Sequence, residues 1–201
     1  MRIGVLGTGM VGRTISARLR ELGHEVRVGS RTEGDDAVVF ADAAAFGEVV
    51  FNCTAGGASL DALTAAGEQN LAGKLLIDVS NPLEFVEGEL RLSVSNTDSV
   101  GERIQRAFPE ARVVKTLNTV NCRVMVEPSR VPGDHVLFLS GNDAGAKQEA
   151  LSLLAELGWP ADRVVDLGDI TSARGAEMYL PLWVRMRTAL GTADFNVTVA
   201  R

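Results

Sequence analysis

Residues 7–12 of the chain are Gly7-Thr8-Gly9-Met10-Val11-Gly12, which match the pattern GxGxxG. They come directly after the short apolar run Arg2–Leu6, which predicts a buried strand. From Val11 onward, apolar residues recur at Ile15 and Leu19, the spacing of one helix face, and Gly23 ends that predicted helix. A strand, a glycine turn and a helix in this order begin a βαβ unit, the context in which the pattern predicts dinucleotide binding.

The three glycines of this loop have separate expected roles. Gly7 permits a tight turn, Gly9 lets the backbone approach a pyrophosphate, and Gly12 lets the helix pack closely on the strand. The helix that starts here offers free N–H groups and the positive end of its dipole to phosphate. We therefore expect the whole loop to contact the cofactor, through Gly7, Thr8, Gly9, Met10, Val11 and Gly12.

The rest of the chain alternates between predicted strands and predicted helices. Apolar runs predict strands at residues 25–29, 37–40, 49–53, 74–79, 112–116, 135–139 and 164–167. Helical spacing predicts a short Ala-rich helix before residue 49 and helices at residues 10–22, 58–70, 98–107, 143–157 and 171–190, the last kinked at Pro181. The alternation indicates an α/β fold, a doubly wound and mostly parallel sheet of the Rossmann type.

The end of the second predicted strand indicates which dinucleotide binds. An NAD-binding domain usually carries Asp or Glu here, accepting a hydrogen bond from the ribose 2′-hydroxyl. This chain has Gly29-Ser30-Arg31-Thr32, and its first acid is Glu33. Arg31 can make a bidentate contact with a 2′-phosphate, and Ser30 can donate a hydrogen bond to it. The sequence therefore predicts NADP(H) rather than NAD(H).

Three further loops lie where ligands bind in this fold, at the carboxyl ends of predicted strands. Small or hydrogen-bonding residues make up these loops, which are Thr54-Ala55-Gly56-Gly57, Ser80-Asn81-Pro82 and Thr116-Leu117-Asn118-Thr119. We predict that Thr54, Ala55, Asn81 and Asn118 contribute to cofactor binding. Ordinary turn formation is the alternative for the Asn-Pro and Gly-Gly pairs.

Composition excludes several classes of function. The chain has 201 residues and a formal net charge of −6, and it has no run of Lys and Arg, which argues against a nucleic-acid partner. No apolar run approaches the ~18 residues of a membrane span, and the first strand starts too early for a signal peptide. Cys53 and Cys122 do not have the spacing of a metal-binding motif, and we expect both to be ordinary buried residues. We expect a cytoplasmic protein without a metal.

Few side chains are candidates for acid–base chemistry. Oxidation of an alcohol needs a group that takes the hydroxyl proton, commonly His, Lys or Tyr. We expect structural roles for His24, His135 and Tyr179, whereas Lys115 lies late in a strand and could face the site. We therefore predict no catalytic side chain and a hydride transfer between two bound ring systems, for which the protein supplies alignment.

Several stretches resemble the NADPH-dependent oxidoreductases of coenzyme F420, a deazaflavin, in that family's order. They are residues 7–12, Leu22-Gly23-His24-Glu25-Val26, Val28-Gly29-Ser30-Arg31, residues 113–119, Ser140-Gly141-Asn142-Asp143, Asp166-Leu167-Gly168 and residues 177–182. The same motifs occur in the cytoplasmic domain of certain membrane ferric reductases. The resemblance implies that Thr8, Ser30 and Arg31 hold the 2′-phosphate, that the protein is a homodimer, and that hydride passes directly between NADP(H) and F420.

The residues leave the identity of the hydride acceptor open. Coenzyme F420 is the acceptor that the resemblance implies. Another small-molecule acceptor, such as a flavin, a ferric chelate or a small carbonyl, remains an alternative, and so does a protein that binds NADP without turnover.

The last third of the chain predicts the oligomeric state. The helix at residues 171–190 carries more apolar residues than one face of a small monomer needs, Tyr179, Trp183 and Met186 among them, and such residue types are enriched in interfaces. Residues 195–199 alternate as an edge strand does. We expect residues 1–130 to form the Rossmann-type NADP-binding domain, and residues 131–201 a small C-terminal α/β extension that serves the acceptor pocket and a homodimer.

Overall fold

The computed structural model describes residues 1–34 and 36–200. Asp35 and Arg201, the last residue of the predicted extension, lie outside the described residues. The strands are β1 Arg2–Leu6, β2 Glu25–Ser30, β3 Val38–Val39, β4 Val49–Asn52, β5 Leu75–Asp78, β6 Leu83–Val86, β7 Glu89–Leu92, β8 Arg112–Thr116, β9 Leu137–Gly141 and β10 Val164–Asp166. The helices are α1 Met10–Glu21, α2 Phe40–Phe46, α3 Gly56–Ala66, α4 Glu68–Leu71, α5 Val100–Ala107, α6 Cys122–Val126, α7 Ala144–Glu156, α8 Ala173–Met178 and α9 Leu180–Leu190.

Eight of these strands form one sheet in the order β10-β9-β8-β5-β4-β1-β2-β3. All neighbouring pairs are parallel except β8 and β9, which are antiparallel. The predicted α/β fold with a doubly wound, mostly parallel sheet is therefore confirmed. The strand order reverses between β1 and β4, and in such sheets a crevice opens there, beyond the carboxyl ends of the strands.

Helices cover both faces of the sheet and divide the core into two clusters. One cluster joins the sheet to α1, α6 and α7, and Trp159, which is 1% exposed, belongs to it. The other joins the sheet to α2, α3 and α5. Helix α2 is rich in Ala because it lies very close to β1: a Cβ atom on Gly4 would stand 2.4 Å from the Ala43 carbonyl oxygen.

Some predicted boundaries are wrong. The helix predicted at 58–70 is two helices, because Gly67 between them has a φ of 89°. The strand predicted at 37–40 is only two residues long, since α2 already begins at Phe40. The strand predicted at 135–139 begins at Leu137 and continues to Gly141.

The predicted kink at Pro181 is present as a break between α8 and α9. Proline has no N–H to donate to the carbonyl of residue i−4, here Glu177. The start of the predicted helix is also irregular, since Ile170–Ser172 form a single 3-10 turn.

The edge strand predicted at 195–199 does not form. One backbone hydrogen bond joins this segment to the residue before β9: the Val136 N–H donates to the Val197 carbonyl at 3.0 Å. The Asn196 side chain donates to the Val136 carbonyl at 2.8 Å. The side chain thus occupies the acceptor that a backbone N–H would need, and the ladder does not continue.

The antiparallel hairpin of β6 and β7 was not predicted. Its turn is Glu87-Gly88, in which both residues have positive φ, 52° and 83°, as a tight hairpin turn requires. The hairpin follows Asn81-Pro82 at the carboxyl edge of the sheet. Among the described residues, every helix is too short or too polar to cross a membrane.

Candidate functional site

The glycine loop joins β1 to α1 at the reversal point of the sheet. Gly7 has a φ of 119°, and its N–H donates to the Gly29 carbonyl at 2.9 Å, which ties the loop to the end of β2. A Cβ atom on Gly12 would lie 2.0 Å from the Gly7 carbonyl oxygen, whereas one on Gly9 would meet no atom within 4 Å. Gly12 is therefore required by packing, and Gly9 leaves space on the side of the crevice.

A groove of about 1400 Å³ opens over this loop. It brings together seven of the predicted binding residues, namely Gly7, Thr8, Gly9, Ser30, Arg31, Thr54 and Ala55. Gly9 is the N-cap of α1 and has no side chain to occupy the first N–H groups of the helix. These features are the ones that a dinucleotide phosphate needs: backbone donors, a helix N-terminus and free space.

Charged side chains of both signs line the outer part of the groove. Arg13, Arg20, Arg27 and Arg31 contribute positive charge, and Glu33, Asp36 and Asp61 contribute negative charge. The Arg13 Nε atom donates to the Thr8 carbonyl at 2.7 Å. The Ser30 hydroxyl donates to the Thr32 carbonyl. The Ser30 side chain thus closes the turn that carries Arg31.

A second pocket of about 200 Å³ adjoins the groove. The two cavities share Cys53, Thr54 and Ala55, and the smaller one adds Val11, Val79, Ser80, Asn81 and Leu83. Leu83 is the first residue of the β6–β7 hairpin, so the unpredicted hairpin supplies part of this wall. Burial, with a smaller contribution from the charge of Asp78, strongly raises the pKa of the Cys53 thiol. Cys53 is thus a neutral part of the wall.

Three predicted binding residues line neither cavity. Met10 is 74% exposed on α1, and Gly12 packs beneath the loop. Asn118 lies behind Asn81: its amide donates to Asn81 Oδ1 at 3.0 Å, and the Asn81 amide donates to the Asn118 carbonyl at 2.9 Å. Asn118 therefore braces a lining residue rather than facing the cavity.

The three residues expected to be structural, His24, His135 and Tyr179, line neither of the two cavities. The His24 Nε2 atom lies 2.9 Å from a Glu156 carboxylate oxygen, and the His135 ring contacts Trp159 edge-on with ring centroids 5.2 Å apart. Tyr179 stands at the break between α8 and α9. Within residues 1–34 and 36–200, no group of His, Cys, Asp and Glu is arranged to hold a metal ion.

Lys115 does not face the groove. Its side chain is fully buried, with its Nζ atom 2.8 Å from a carboxylate oxygen of Asp78 and 2.8 Å from one of Glu177. Burial opposes the charge on the amine, but the two carboxylates outweigh it and raise the pKa of Lys115 above its ordinary value. Lys115 is therefore an ammonium ion inside the protein and is unsuited to take a proton from a substrate.

Asp78 connects this ion pair to the wall of the smaller pocket. Its Oδ1 atom accepts from the Ser80 hydroxyl at 2.7 Å, from the Ser80 N–H at 3.1 Å and from the Asn52 amide at 2.9 Å. Asn52 Oδ1 in turn accepts from the Thr54 hydroxyl at 2.7 Å. This network was not predicted, although polar residues at the ends of the apolar strands β4 and β5 were a signal for it.

Comparisons with known proteins identify the family. A family model described as "NADP oxidoreductase coenzyme F420-dependent" matches residues 2–82. A crystal structure from Arthrobacter sp. FB24, described provisionally as an F420-dependent NADP-reductase, is 52% identical, covers 100% of both chains and has a TM-score of 0.94. The chain belongs to the F420-dependent NADP oxidoreductase family. It is accordingly an NADP-dependent oxidoreductase, and the alternative of an NADP-binding protein without turnover is set aside.

More distant similarities extend beyond this family. Metalloreductase STEAP3 of Rattus norvegicus is 28% identical over 195 residues, which cover 90% of this chain and 38% of the relative. The chain thus spans about two fifths of the length of that curated relative. A reductive aminase from Aspergillus terreus, solved with NADPH4, is 18% identical with a TM-score of 0.64 and covers 94% of this chain and 62% of that one. The last similarity shows the shared fold.

Gly9 and Gly12 are expected to differ in how much a substitution lowers stability. Gly12→Ala is expected to lower the free energy of unfolding by about 1–3 kcal/mol or more, because the new Cβ overlaps the Gly7 carbonyl. Gly9→Ala is expected to change it by no more than about 0.5 kcal/mol, since the new Cβ enters open space. Urea denaturation of both variants measures the difference, and equal losses would contradict these packing roles of the two glycines.

Proposed function

We propose that this oxidoreductase transfers hydride directly between NADP(H) and coenzyme F420. The observation that carries this proposal is the 52% identity, over the full length of both chains, to the protein described as an F420-dependent NADP-reductase. Two adjoining cavities with a common wall at Cys53, Thr54 and Ala55 support it. Direct transfer requires two bound ligands that meet.

The residues of the larger groove fit an NADP molecule. We assign the pyrophosphate to the open side of Gly9 and the N-terminus of α1, and the 2′-phosphate to Thr8, Ser30 and Arg31. Thr54, Ala55 and Asn81 lie farther along, where the groove meets the smaller pocket, and we assign them to the nicotinamide end. When bound, NADPH supplies a hydride from its nicotinamide ring.

The smaller pocket fits a hydride acceptor that needs no protein acid. Val11, Val79 and Leu83 give it an apolar wall, and Ser80 and Asn81 give it polar contacts. Among the described residues that line it, Cys53 alone can titrate, and burial raises its pKa. These walls can hold and orient a ring, without a protein group that delivers a proton; the proton that completes reduction of the ring would come from solvent. A carbonyl acceptor would require such a proton donor.

We further propose a cytoplasmic homodimer with the domain organisation predicted from the sequence. Residues 1–130 would form the NADP-binding domain, and the extension from residue 131 would carry the dimer contacts. Three apolar side chains of its helices are exposed, Met178, Leu182 and Leu190. Cys53 and Cys122 are free thiols, as a reducing compartment would keep them.

Arg31 is expected to determine the preference for NADPH. Arg31→Ala should weaken NADPH binding by about 1.5–3 kcal/mol, the usual contribution of a hydrogen bond to a charged group, and should leave NADH binding unchanged. Isothermal calorimetry with both nucleotides measures the two effects. Arg106→Ala, which removes an exposed arginine paired with Asp98, is the control. Equal or tighter binding of NADH by the unmodified protein would refute the assignment.

An anaerobic acceptor screen tests the proposed reaction. NADPH oxidation is followed with coenzyme F420, FMN, ferric citrate and a simple cyclic ketone, each at several concentrations. We expect kcat/KM to be highest with coenzyme F420 by at least an order of magnitude. The similarity to a metalloreductase makes ferric citrate the informative competitor. Preferred reduction of FMN or of the ferric chelate would overturn the F420 proposal and leave the NADP site standing.

If the protein is a homodimer, a charge at the exposed residue Leu182 should prevent association. Light scattering at micromolar concentration should give twice the chain mass of 21.3 kDa. Leu182→Glu should give a monomer that still binds NADPH, because this side chain is 57% exposed in the single chain and a charge would be buried on association. Leu167→Glu, at an exposed position after β10, is the control. A wild-type protein of 21.3 kDa would exclude the dimer.

A further inference from the structure

Lys115 is the centre of a buried charged cluster. Its Nζ atom contacts Asp78 Oδ2 at 2.8 Å, Glu177 Oε1 at 2.8 Å and the Ser80 carbonyl at 2.5 Å. The contacts with Asp78 and Ser80 are hydrogen bonds, and the contact with Glu177 is an ion pair. All three charged side chains are at most 1% exposed.

Glu177 holds the far side of this cluster. Its two oxygens accept from the Val100 N–H at 2.8 Å and from the Gly101 N–H at 3.0 Å, the first N–H groups of α5. Glu177 belongs to α8, in the C-terminal extension, whereas Asp78 and Lys115 lie on strands of the NADP-binding half. One carboxylate therefore ties the extension to the carboxyl edge of the sheet.

Ser80 is held by this cluster at three of its atoms. Its N–H and hydroxyl donate to Asp78 Oδ1, and its carbonyl accepts from Lys115. Ser80 and its neighbour Asn81 line the smaller pocket. A change in the position of Lys115 must therefore move one wall of that pocket.

We propose that Glu177 and Lys115 are positioning residues for hydride transfer, acting through Asp78 on Ser80 and Asn81. The proposal rests on the proposed function, since it takes the smaller pocket as the place where nicotinamide and acceptor meet. Gly9 and Arg31 line only the groove and not the smaller pocket. Loss of the cluster should therefore slow the transfer step, while NADPH affinity changes little, because we assign the phosphate contacts to the groove and only the nicotinamide end to Asn81.

A second buried carboxylate provides a matched control. Glu102 is on α5, and its side chain is 7% exposed; it pairs with Arg174 of α8 at 2.5 Å and accepts from the Ser99 hydroxyl at 2.8 Å. It joins the same two helices as Glu177, but its contacts do not lead to either cavity. A Gln in place of either glutamate keeps the volume and removes one charge.

The experiment compares Glu177→Gln with Glu102→Gln. Both variants should lose thermal stability, because each loses a buried charged contact. In Glu177→Gln we expect the single-turnover rate of hydride transfer to coenzyme F420, or to FMN if F420 is not reduced, to fall by about 10- to 100-fold, as displacements near 1 Å do. The dissociation constant of NADPH should change by less than about threefold. Glu102→Gln should keep both the rate and the affinity.

Ser80→Ala is the second variant, in case Glu177→Gln does not fold. It removes the hydroxyl that contacts Asp78 and lines the smaller pocket, and it should slow transfer less than Glu177→Gln, again without weakening NADPH binding. The fluorescence of bound NADPH gives a readout that needs no acceptor: it should change in Glu177→Gln and Ser80→Ala but not in Glu102→Gln.

The outcomes separate this inference from the function on which it rests. If wild-type protein binds no NADPH, the proposed cofactor site fails and the inference fails with it. If wild-type protein binds and oxidises NADPH, and Glu177→Gln transfers hydride at the wild-type rate, the inference alone is overturned. It is also overturned if the glutamine variants of residues 102 and 177 slow transfer equally, because the effect would then be a loss of general stability.

Discussion

The structure depends on keeping one positive charge in its interior. Lys115 extends from β8 into the buried interior and is stabilised there by Asp78 of β5 and Glu177 of α8. Removing one partner of a buried ion pair costs about 3–5 kcal/mol, whereas replacing the whole cluster by apolar residues is often neutral. Stability alone therefore does not explain the cluster. The cluster does specify geometry. Lys115 links β8 to Asp78 of β5 and to Glu177 of α8, and Glu177 also accepts from the first N–H groups of α5, so these four elements are held in one relative placement.

Those parts of the fold that depend on neighbouring residues could be predicted from the sequence. The unit of β1, the glycine loop and α1 was identified because strand, turn and helix signals follow one another within some twenty residues. The antiparallel pairing of β8 with β9 has no local signal, since an apolar run has the same appearance in either direction. The β6–β7 hairpin was missed because Glu87-Gly88 is a weaker turn signal than Asn-Gly.

In the candidate site, too, residues in short motifs could be predicted, and residues placed by distant parts of the chain could not. Gly7, Thr8, Ser30 and Arg31 belong to short motifs, and the structure places them in one groove. The sequence could not decide whether Lys115 faces the site, because the depth of a strand residue depends on what packs over it, here helix α8, which begins 58 residues later in the chain. The partner of a buried charge cannot be found from spacing. The sequence offered one signal, the apolar neighbours of Lys115 in β8. A buried ammonium among apolar residues needs a carboxylate partner.

The charges around Arg31 bear on the proposed assignment of the 2′-phosphate to this residue. Glu33 and Asp36 line the same groove, and a carboxylate repels a 2′-phosphate. All three side chains are exposed, however, and charges in water are screened beyond about 8 Å at physiological salt. A direct contact is affected far less, because a guanidinium forks onto phosphate oxygens at hydrogen-bonding distance. Selection should therefore follow from the contact geometry of Arg31, which the closed turn of Ser30 and Thr32 sets, and not from the net charge of the groove.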